Sequence, residues 1–409
     1  MEIEYNEVTL IINGQLVLAE EIVQVALAIH NGIIIEIFDS TEEMMRWKEQ
    51  FTVNFAQKLQ IIDAQGQYVL PGMIDIHCDT IEKEVEPRPN TLFPLPFAFM
   101  EFERKLPLYG ITTMYHSLSL GVGLSLRGED KLAQMVEWIN TYRKQRAMVR
   151  NRIHLRYEVS HLTGMKLAKQ YIETNKIDFL SFMDHSPGQG QYRKPDSFER
   201  YVMKNQGVTR DEVGAIVAEL QERRTQVDWK ALQELAQAAK NKGIAIASHD
   251  DDTQEQVDKS ISRGAIISEF PIDLQTAQYA TEQGMYICVG APNIVRGGSH
   301  DLNLRATDAI KQHAAHIICS DYHPSSLLAA VFKLADEQVL SLPAAVKMVS
   351  LHPAAAMGIA EKCGSIAVGK YADLLFVDRY EQIPWITTTI VGGKMVYQTN
   401  PSEQAIGNY

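Results

Sequence analysis

A histidine and an aspartate stand two positions apart at the end of an apolar run. Residues 69–80 read VLPGMIDIHCDT, so His77 and Asp79 close a stretch that otherwise reads as a buried strand. Side chains at positions i and i+2 of a strand point to the same face, which leaves Cys78 on the other. Imidazole nitrogen and carboxylate oxygen together suit Zn²⁺, Mn²⁺ or Fe²⁺. The pair therefore predicts a metal centre, and we expect zinc, with manganese and iron as the alternatives.

Ionisable side chains also close several later apolar runs. Glu158, His249, Glu269 and Asp321 each stand at or just after the end of one. A lone histidine in a strand is more often a core residue than a ligand. Several unpaired ionisable groups in one buried place would be costly, however, and a bound cation removes that cost. We therefore favour a functional role for these residues, although Glu269 could equally be a buried ion-pair partner.

Eight short apolar runs alternate with polar loops and amphipathic stretches, and these must position the ionisable groups. Strand followed by helix, eight times over, predicts an α/β fold with a (β/α)8 TIM-type barrel. In such a barrel the carboxyl ends of the strands meet at one face, which would gather the polar residues there. The eight runs are MIDIHCD, GITTMYHSLS, IHLRYEVSH, IDFLSFMDHSPG, IAIASHDD, AIISEFP, MYICVGAPN and HIICSDYHP.

Both ends of the chain have a different character. They are rich in β-branched residues and glycine, and the Asn-Gly pairs at 13–14 and 31–32 predict hairpin turns. We predict one small β-sandwich domain formed by both termini, with the barrel inserted between its halves. The predicted boundaries are residues 1–70 and 354–409 for the sandwich and 71–353 for the barrel.

Composition limits the class of protein and its partners. The chain has 409 residues and a formal net charge of −12, which argues against a nucleic-acid partner. Its four cysteines are far apart, as in a reduced protein without disulfides. No apolar run reaches the roughly 20 residues that cross a bilayer. We expect a cytoplasmic protein that acts on a small molecule and contacts no membrane; the composition leaves open whether it forms a homo-oligomer.

Longer motifs carry a resemblance to a known family. PGMIDIHCD, the terminal β-rich halves and the eight-strand pattern resemble the amidohydrolase superfamily. The finer motifs resemble the diphosphatase family of the carbon–phosphorus lyase pathway, over about residues 8 to 397. These motifs are EPRP (86–89), MDHSPGQGQ (183–191), ASHDD (247–251), EFP (269–271), GAPNIVRGGSH (290–300) and SDYHPSSLL (320–328).

The resemblance implies a reaction and a set of metal ligands. Members remove pyrophosphate from α-D-ribose 1-methylphosphonate 5-triphosphate. Asp321 would be a metal ligand and the catalytic base. The chain departs from the superfamily pattern: Asp79 replaces a histidine, the fourth-strand lysine is absent, and Glu269 stands where a histidine is usual. These departures leave the metal count at one or two, and we favour a pair bridged by Glu158. The implied ligands are His77, Asp79, Glu158, His249, Glu269 and Asp321.

A triphosphate substrate would need anion contacts as well. Arg296 can bind a phosphate through two nitrogens. Gly297 and Gly298 beside it let the backbone come close, and their N–H groups can point at an anion. Arg88 follows the first barrel strand and is a second candidate, although its flanking prolines could simply stiffen a loop. The loop after the fourth strand could contact ribose or phosphate. The candidate substrate-binding residues are Arg88, Asp184, His185, Arg296, Gly297, Gly298, Ser299 and His300.

Two other functions remain open from the sequence. The first is another amidohydrolase, acting on a cyclic amide or an N-acetyl substrate with the same metal ligands. The second is a non-catalytic assembly subunit on a hydrolase scaffold, a class that typically loses metal ligands. Retention of His77, Asp79, His249 and Asp321 argues against the second.

Overall fold

Two eight-stranded sheets and the helices around them make up the computed structural model. It describes residues 7–54, 58–88, 91–121, 128–193, 210–299 and 303–399. The strands are β1 Glu7–Val17, β2 Ile22–His30, β3 Ile33–Ile37, β4 Lys58–Asp63, β5 Tyr68–Pro71, β6 Met73–Cys78, β7 Ile111–Leu120, β8 Arg150–Glu158, β9 Phe179–Met183, β10 Ala245–His249, β11 Ile267–Glu269, β12 Tyr286–Gly290, β13 Ile317–Cys319, β14 Leu374–Tyr380, β15 Ile383–Val391 and β16 Lys394–Gln398.

Along the chain, most of the helices follow or separate the strands of the second sheet. Among the described residues, none of them is long and apolar enough to span a membrane. They are α1 Thr41–Asn54, α2 Thr80–Val85, α3 Leu95–Glu103, α4 Glu129–Gln145, α5 Met165–Glu173, α6 Arg210–Thr225, α7 Trp229–Asn241, α8 Gln254–Ser262, α9 Leu274–Glu282, α10 Ala291–Arg296, α11 Ala306–Lys311, α12 Ser326–Asp336, α13 Leu342–Lys347 and α14 Leu351–Ala356.

The second sheet is the predicted barrel. Strands β6 to β13 pair in sequence order, and every pairing is parallel. All eight predicted strands are present. The barrel closes where Cys78 bridges Asp321: the Asp321 N–H donates to the His77 carbonyl, and the Asp79 N–H donates to the Asp321 carbonyl, both at 2.9 Å. The seam therefore fixes three of the predicted site residues by backbone hydrogen bonds.

The floor of the barrel is apolar. Ile74, Phe179, Ala247 and Ile267 are buried there, and α14 covers them with Ala354. A larger buried cluster lies between the strands and the outer helices, and it contains Cys78, as the strand alternation predicted. Because apolar side chains pack at the floor and around the lumen, polar chemistry is left to the end of the barrel where the carboxyl ends of the strands lie.

The first sheet unites both ends of the chain, as predicted. Its order is β16-β15-β14-β5-β1-β2-β3, and β4 pairs with β1 beside β5. Asn31 and Gly32 form the predicted turn between β2 and β3, with φ of 50° and 77°. The prediction for the pair at 13–14 was wrong, because Gly14 lies at a bulge inside β1, where the strand continues. The domain boundaries themselves stay a prediction.

Candidate active site

Three barrel strands end in residues with left-handed backbone. Asp250, Phe270 and Asp321 follow β10, β11 and β13 with φ of 57°, 56° and 58°. This region is uncommon for residues other than glycine, and strain of this kind collects at functional sites. The backbone N–H of each residue bonds to the neighbouring strand: to the Glu269, Cys288 and His77 carbonyls, respectively.

The deepest polar group centres on Glu269. His77 Nδ1 lies 2.8 Å from Glu269 Oε1, and both side chains are buried. Burial lowers the pKa of His77 and raises that of Glu269, so the pair is favoured in its neutral form. Glu269 Oε2 is buried and has no hydrogen-bond partner among the described residues. The structure thus places Glu269 in the lumen beside a predicted ligand.

His154 completes the deep group, but its nitrogens are occupied. It lies 4.0 Å from Glu269 Oε2. Ser117 accepts the Cys78 N–H, so its hydroxyl can donate to His154 Nδ1 at 3.1 Å. His154 Nε2 then donates to Ser181 Oγ at 2.8 Å. A histidine satisfied on both sides supports its neighbours but is a poor metal ligand.

A second group of ionisable side chains lies above the first and begins at Glu158. This carboxylate accepts the Ser160 hydroxyl at 3.2 Å and the His185 N–H at 3.2 Å. Its Oε2 lies 2.9 Å from His185 Nδ1. The proton on Nδ1 therefore faces the carboxylate, which leaves Nε2 of His185 as a bare acceptor. A carboxylate that orients a histidine in this way is the usual support of a metal-ligating imidazole.

His249 joins this second group to the first. Its ring lies 5.6 Å from that of His77 and 5.5 Å from that of His185. Its Nδ1 lies 3.2 Å from Asp250 Oδ2, and its Nε2 lies 3.1 Å from Arg156 Nη2. The two polar groups therefore form one continuous centre.

The donor set fits a divalent metal. His185 Nε2, His249 Nδ1 and Asp250 Oδ2 lie within 4.8 Å of one another. All three atoms are buried, and among the described residues they have no hydrogen-bond partner outside this trio. Two imidazole nitrogens and a carboxylate oxygen are a common donor set for zinc and for neighbouring transition metals. A cation would satisfy all three atoms at once.

Asp79 and Asp321 lie together at the barrel seam. Asp79 Oδ1 is buried without a hydrogen-bond partner in the described part of the chain. Burial raises the pKa of Asp321 to about 7, and the negative charge of Asp79 adds to the increase. A carboxyl group with a pKa near neutrality can exchange a proton at physiological pH.

Asp251 is buried, but three serine hydroxyls surround it. Ser248, Ser260 and Ser268 each donate to its carboxylate, with Ser260 at 3.2 Å. These bonds tie β10 to β11 and α8 beneath the polar centre, so the role of Asp251 is structural.

We expect Asp251→Ala to lower the free energy of unfolding by about 3 kcal/mol, because it leaves buried hydroxyls unpaired. Urea unfolding of the variant and the parent protein measures the change. Asp130→Ala, in the exposed first turn of α4, is the control and should stay within about 1 kcal/mol. A comparable loss in both variants would contradict the structural role.

The predicted substrate contacts are more scattered. Asp184 Oδ2 accepts Arg224 Nε at 2.8 Å, and its Oδ1 accepts the Ser186 N–H at 3.2 Å, so Asp184 anchors α6 to the loop after β9. Arg88 is exposed and pairs through its backbone with Thr91. Its role in binding substrate stays a prediction.

The glycine pair after α10 ends a helix. Gly297 has φ of 79°, and its N–H bonds to the Ile294 carbonyl at 3.2 Å. The Gly298 N–H bonds to the Asn293 carbonyl at 3.0 Å. Both N–H groups close the helix C-terminus, so the expectation that they point at an anion was wrong. Arg296 is exposed beside them. Ser299 is half-buried, and His300 lies outside the described residues.

Four residues of the polar centre were absent from the predicted set. Arg156 and Asp250 contact His249, His154 contacts the deep group, and Phe270 packs against the His77 ring at 4.9 Å. The alternation along β8 gave a signal for two of them, because residues 154, 156 and 158 share one face. His185, predicted as a substrate contact, instead lies in the donor cluster with His249.

Comparison with known proteins places this chain in a family. The model of the amidohydrolase family matches residues 204–396. The alpha-D-ribose 1-methylphosphonate 5-triphosphate diphosphatase of Escherichia coli (strain K12) is 33% identical over 395 residues, which cover 94% of this chain and 99% of that protein. An adenine deaminase of Moorella thermoacetica is 29% identical over 119 residues, 26% of this chain and 20% of that protein.

Solved structures share the fold. The N-acetylglucosamine-6-phosphate deacetylase from Pasteurella multocida superposes with a TM-score of 0.60 at 13% identity, covering 95% of this chain and 99% of that one. A solved amidohydrolase gives a TM-score of 0.62 at 15% identity, covering 96% of this chain and 99% of that one. Such distant likenesses establish the architecture alone. The sequence relationship over nearly the full length goes further, and this chain belongs to the amidohydrolase family.

Proposed function

We propose that this protein is a metal-dependent hydrolase that converts α-D-ribose 1-methylphosphonate 5-triphosphate to the 5-phosphate and pyrophosphate. The observation that carries the proposal is the 33% identity to the Escherichia coli diphosphatase over 94% of the chain. The buried carboxylate and imidazole groups at the carboxyl ends of the barrel strands support it, because a phosphoanhydride needs charge neutralisation and an activated water.

The metal ligands in this proposal come from both groups of side chains. His77, Asp79, His249, Glu269 and Asp321 act as predicted from the sequence, and His185 and Asp250 join them. Glu158 orients His185 through Nδ1, and we propose, as from the sequence, that it would also bridge the two ions of a two-metal centre. We propose zinc as the ion, with manganese and iron as alternatives, and either one or two ions in the site.

Each residue then has a defined task in hydrolysis. When bound, a divalent metal lowers the pKa of a coordinated water to about 7 and supplies positive charge toward phosphoryl oxygens. Asp321 accepts the proton of the attacking water at its carboxylate. Asp79 lies beside it at the barrel seam, and Phe270 shields His77 and His249 from water on one side.

We further propose that the substrate is a small phosphorylated sugar in the cytoplasm. The net charge of −12 opposes nucleic acid as a partner. Arg88, Arg296, Ser299 and His300 remain the proposed contacts of its phosphates and ribose. Arg296 would act through its side chain alone, because the neighbouring backbone N–H groups are engaged.

The deciding experiment measures pyrophosphate release from the 5-triphosphate by purified protein. Phosphorus NMR identifies the products as the 5-phosphate and pyrophosphate. An N-acetylated sugar phosphate and a cyclic amide are assayed in parallel. Turnover of either in preference to the triphosphate would replace the proposal with the corresponding amide hydrolase.

We expect Arg296→Ala to raise the KM for the triphosphate by about 10-fold with a smaller change in kcat, because a charge-assisted contact to phosphate is lost. Steady-state kinetics of pyrophosphate release provides the measurement. Arg104→Ala removes an exposed arginine that pairs with Glu101, and it should leave KM unchanged. An unaltered KM in Arg296→Ala would remove Arg296 from the anion site.

A further inference from the structure

Arg156 brings a buried guanidinium into the polar centre of the barrel. It stands on β8 two residues before Glu158, and only 7% of its surface is exposed. Its charge acts on His77, Glu269 and Asp321, which belong to both groups of the site. A cation this deep in a protein is normally paired with a carboxylate or fully hydrogen-bonded.

Arg156 lacks such a pairing among the described residues. Its Nη2 lies 3.1 Å from His249 Nε2, and no described carboxylate lies within ion-pair distance of its guanidinium. Its Nε is buried and has no hydrogen-bond partner in the described part of the chain. Arginine has five N–H donors in a flat fork that matches the oxygens of carboxylate or phosphate. The side chain is therefore held in the lumen with most of its donor capacity unused.

A bound metal would remove the hydrogen bond between Arg156 and His249. His249 is a proposed metal ligand, and a neutral imidazole carries one proton and one lone pair. A metal on Nε2 would displace the guanidinium directly. A metal on Nδ1 would place the proton on Nε2, which could then no longer accept from Arg156. In either case the guanidinium needs another acceptor beside the metal.

We propose that this acceptor is a phosphoryl group of the substrate, and that Arg156 selects phosphorylated substrates over neutral amides in this barrel. The inference rests on the proposed function only in taking the substrate to be phosphorylated. Acidic groups crowd the site, so an entering phosphate meets repulsion from Asp79, Asp250 and Asp321 unless fixed positive charge offsets it. Arg156 supplies such charge within the lumen, and its fork can bind two oxygens of one phosphate.

Binding without turnover separates this role from a structural one. The probe is ribose 5-phosphate, with ribose as its uncharged counterpart, titrated calorimetrically into zinc-loaded protein. We expect Arg156→Gln to weaken ribose 5-phosphate binding by about 10- to 100-fold, the size of a lost charge-assisted hydrogen bond. We expect Arg156→Lys to lose less, because it keeps the charge without the fork. Metal content, from elemental analysis, should be unchanged in both.

A matched control exists on the same strand. Arg152 ion-pairs with Asp178 at 2.9 Å, and Arg152→Gln should leave ribose 5-phosphate binding unchanged. Equal affinity of Arg156→Gln and the parent protein for ribose 5-phosphate would overturn the proposal. So would failure of the parent protein to bind ribose 5-phosphate more tightly than ribose, or a loss of binding that follows a loss of metal. If Arg156→Gln does not fold, Arg156→Lys decides by the same comparison.

The same data keep the two proposals apart. The parent protein could bind ribose 5-phosphate through Arg156 and yet release no pyrophosphate from the triphosphate. That result would overturn the proposed reaction and leave the role of Arg156 intact. Suppose instead that the parent protein releases pyrophosphate and that Arg156→Gln both releases it at the same rate and binds ribose 5-phosphate with the same affinity. That result would overturn the role of Arg156 and leave the proposed reaction intact.

Discussion

Removal of the divalent metal is expected to abolish pyrophosphate release, and restoring the metal should recover it. The cause is the cluster formed by His185 Nε2, His249 Nδ1 and Asp250 Oδ2, three buried atoms that have no hydrogen-bond partner outside the cluster in the described residues. Without a cation there is neither a water of lowered pKa nor positive charge for the phosphoryl oxygens. Chelator treatment, desalting and readdition of zinc, manganese or iron, each followed by the pyrophosphate assay, measures the effect and ranks the ions.

Two histidine variants make this test specific to the cluster. His185→Gln should lower zinc content and raise the metal concentration needed for half-maximal activity, because it removes one donor atom. His161 also pairs with a carboxylate, lying 3.1 Å from Glu129, but it stands outside the cluster. His161→Gln should therefore keep its metal. Full activity after exhaustive chelation, or equal zinc loss in both variants, would contradict the metal centre.

The barrel could be predicted because its strands read clearly in the sequence. Buried parallel strands are short apolar runs, and each one here is bounded by turn residues or by an amphipathic helix. Strand order then follows from the right-handed crossover rule without further information. The sequence also marks the end of α7, because Gly243, two residues after Asn241, supplies the φ of 70° that the helix C-terminus needs.

The sequence could not predict in the same way which polar residues lie in the deep group around Glu269 and which lie in the second group around Glu158. His185 and Asp250 lie just past their strands, where the alternation of faces no longer applies. The left-handed backbone of Asp250 turns the chain so that its carboxylate meets His249 and His185, and no local pattern announces that turn. His154 and Arg156 were visible on one face of β8, but their partners come from strands distant in the sequence.

The glycine pair after α10 was visible in the sequence, but its role was ambiguous. Gly-Gly after an arginine fits a phosphate loop and a helix end equally well, because both need φ above zero. The choice depends on whether the preceding residues are helical. Pro292 at the start of α10 favours a helix there, and the helix then consumes the N–H groups of Gly297 and Gly298.

Asp321→Asn is expected to lower kcat by about 10²–10⁴-fold, the range for loss of a positioned general base. Asparagine has the shape of aspartate but cannot accept the proton of the attacking water. It also tolerates the left-handed backbone that residue 321 adopts, with φ of 58°, whereas alanine would add strain at the barrel seam. Pyrophosphate release under saturating triphosphate gives kcat, and circular dichroism with thermal unfolding confirms that the fold is retained.

We expect Asp321→Asn to fold because the hydrogen bonds at the barrel seam involve the backbone of residue 321. The contacts of residue 321 with His77 and Asp79 use its backbone N–H and carbonyl, which the substitution leaves in place. Because Asp321 is also a proposed ligand, zinc content must be measured alongside kcat. A variant that keeps its metal and loses turnover separates the base from the ligand. Near-normal turnover would assign the proton transfer to another group, and among the described residues the neighbouring carboxylate of Asp79 would then be the first to test.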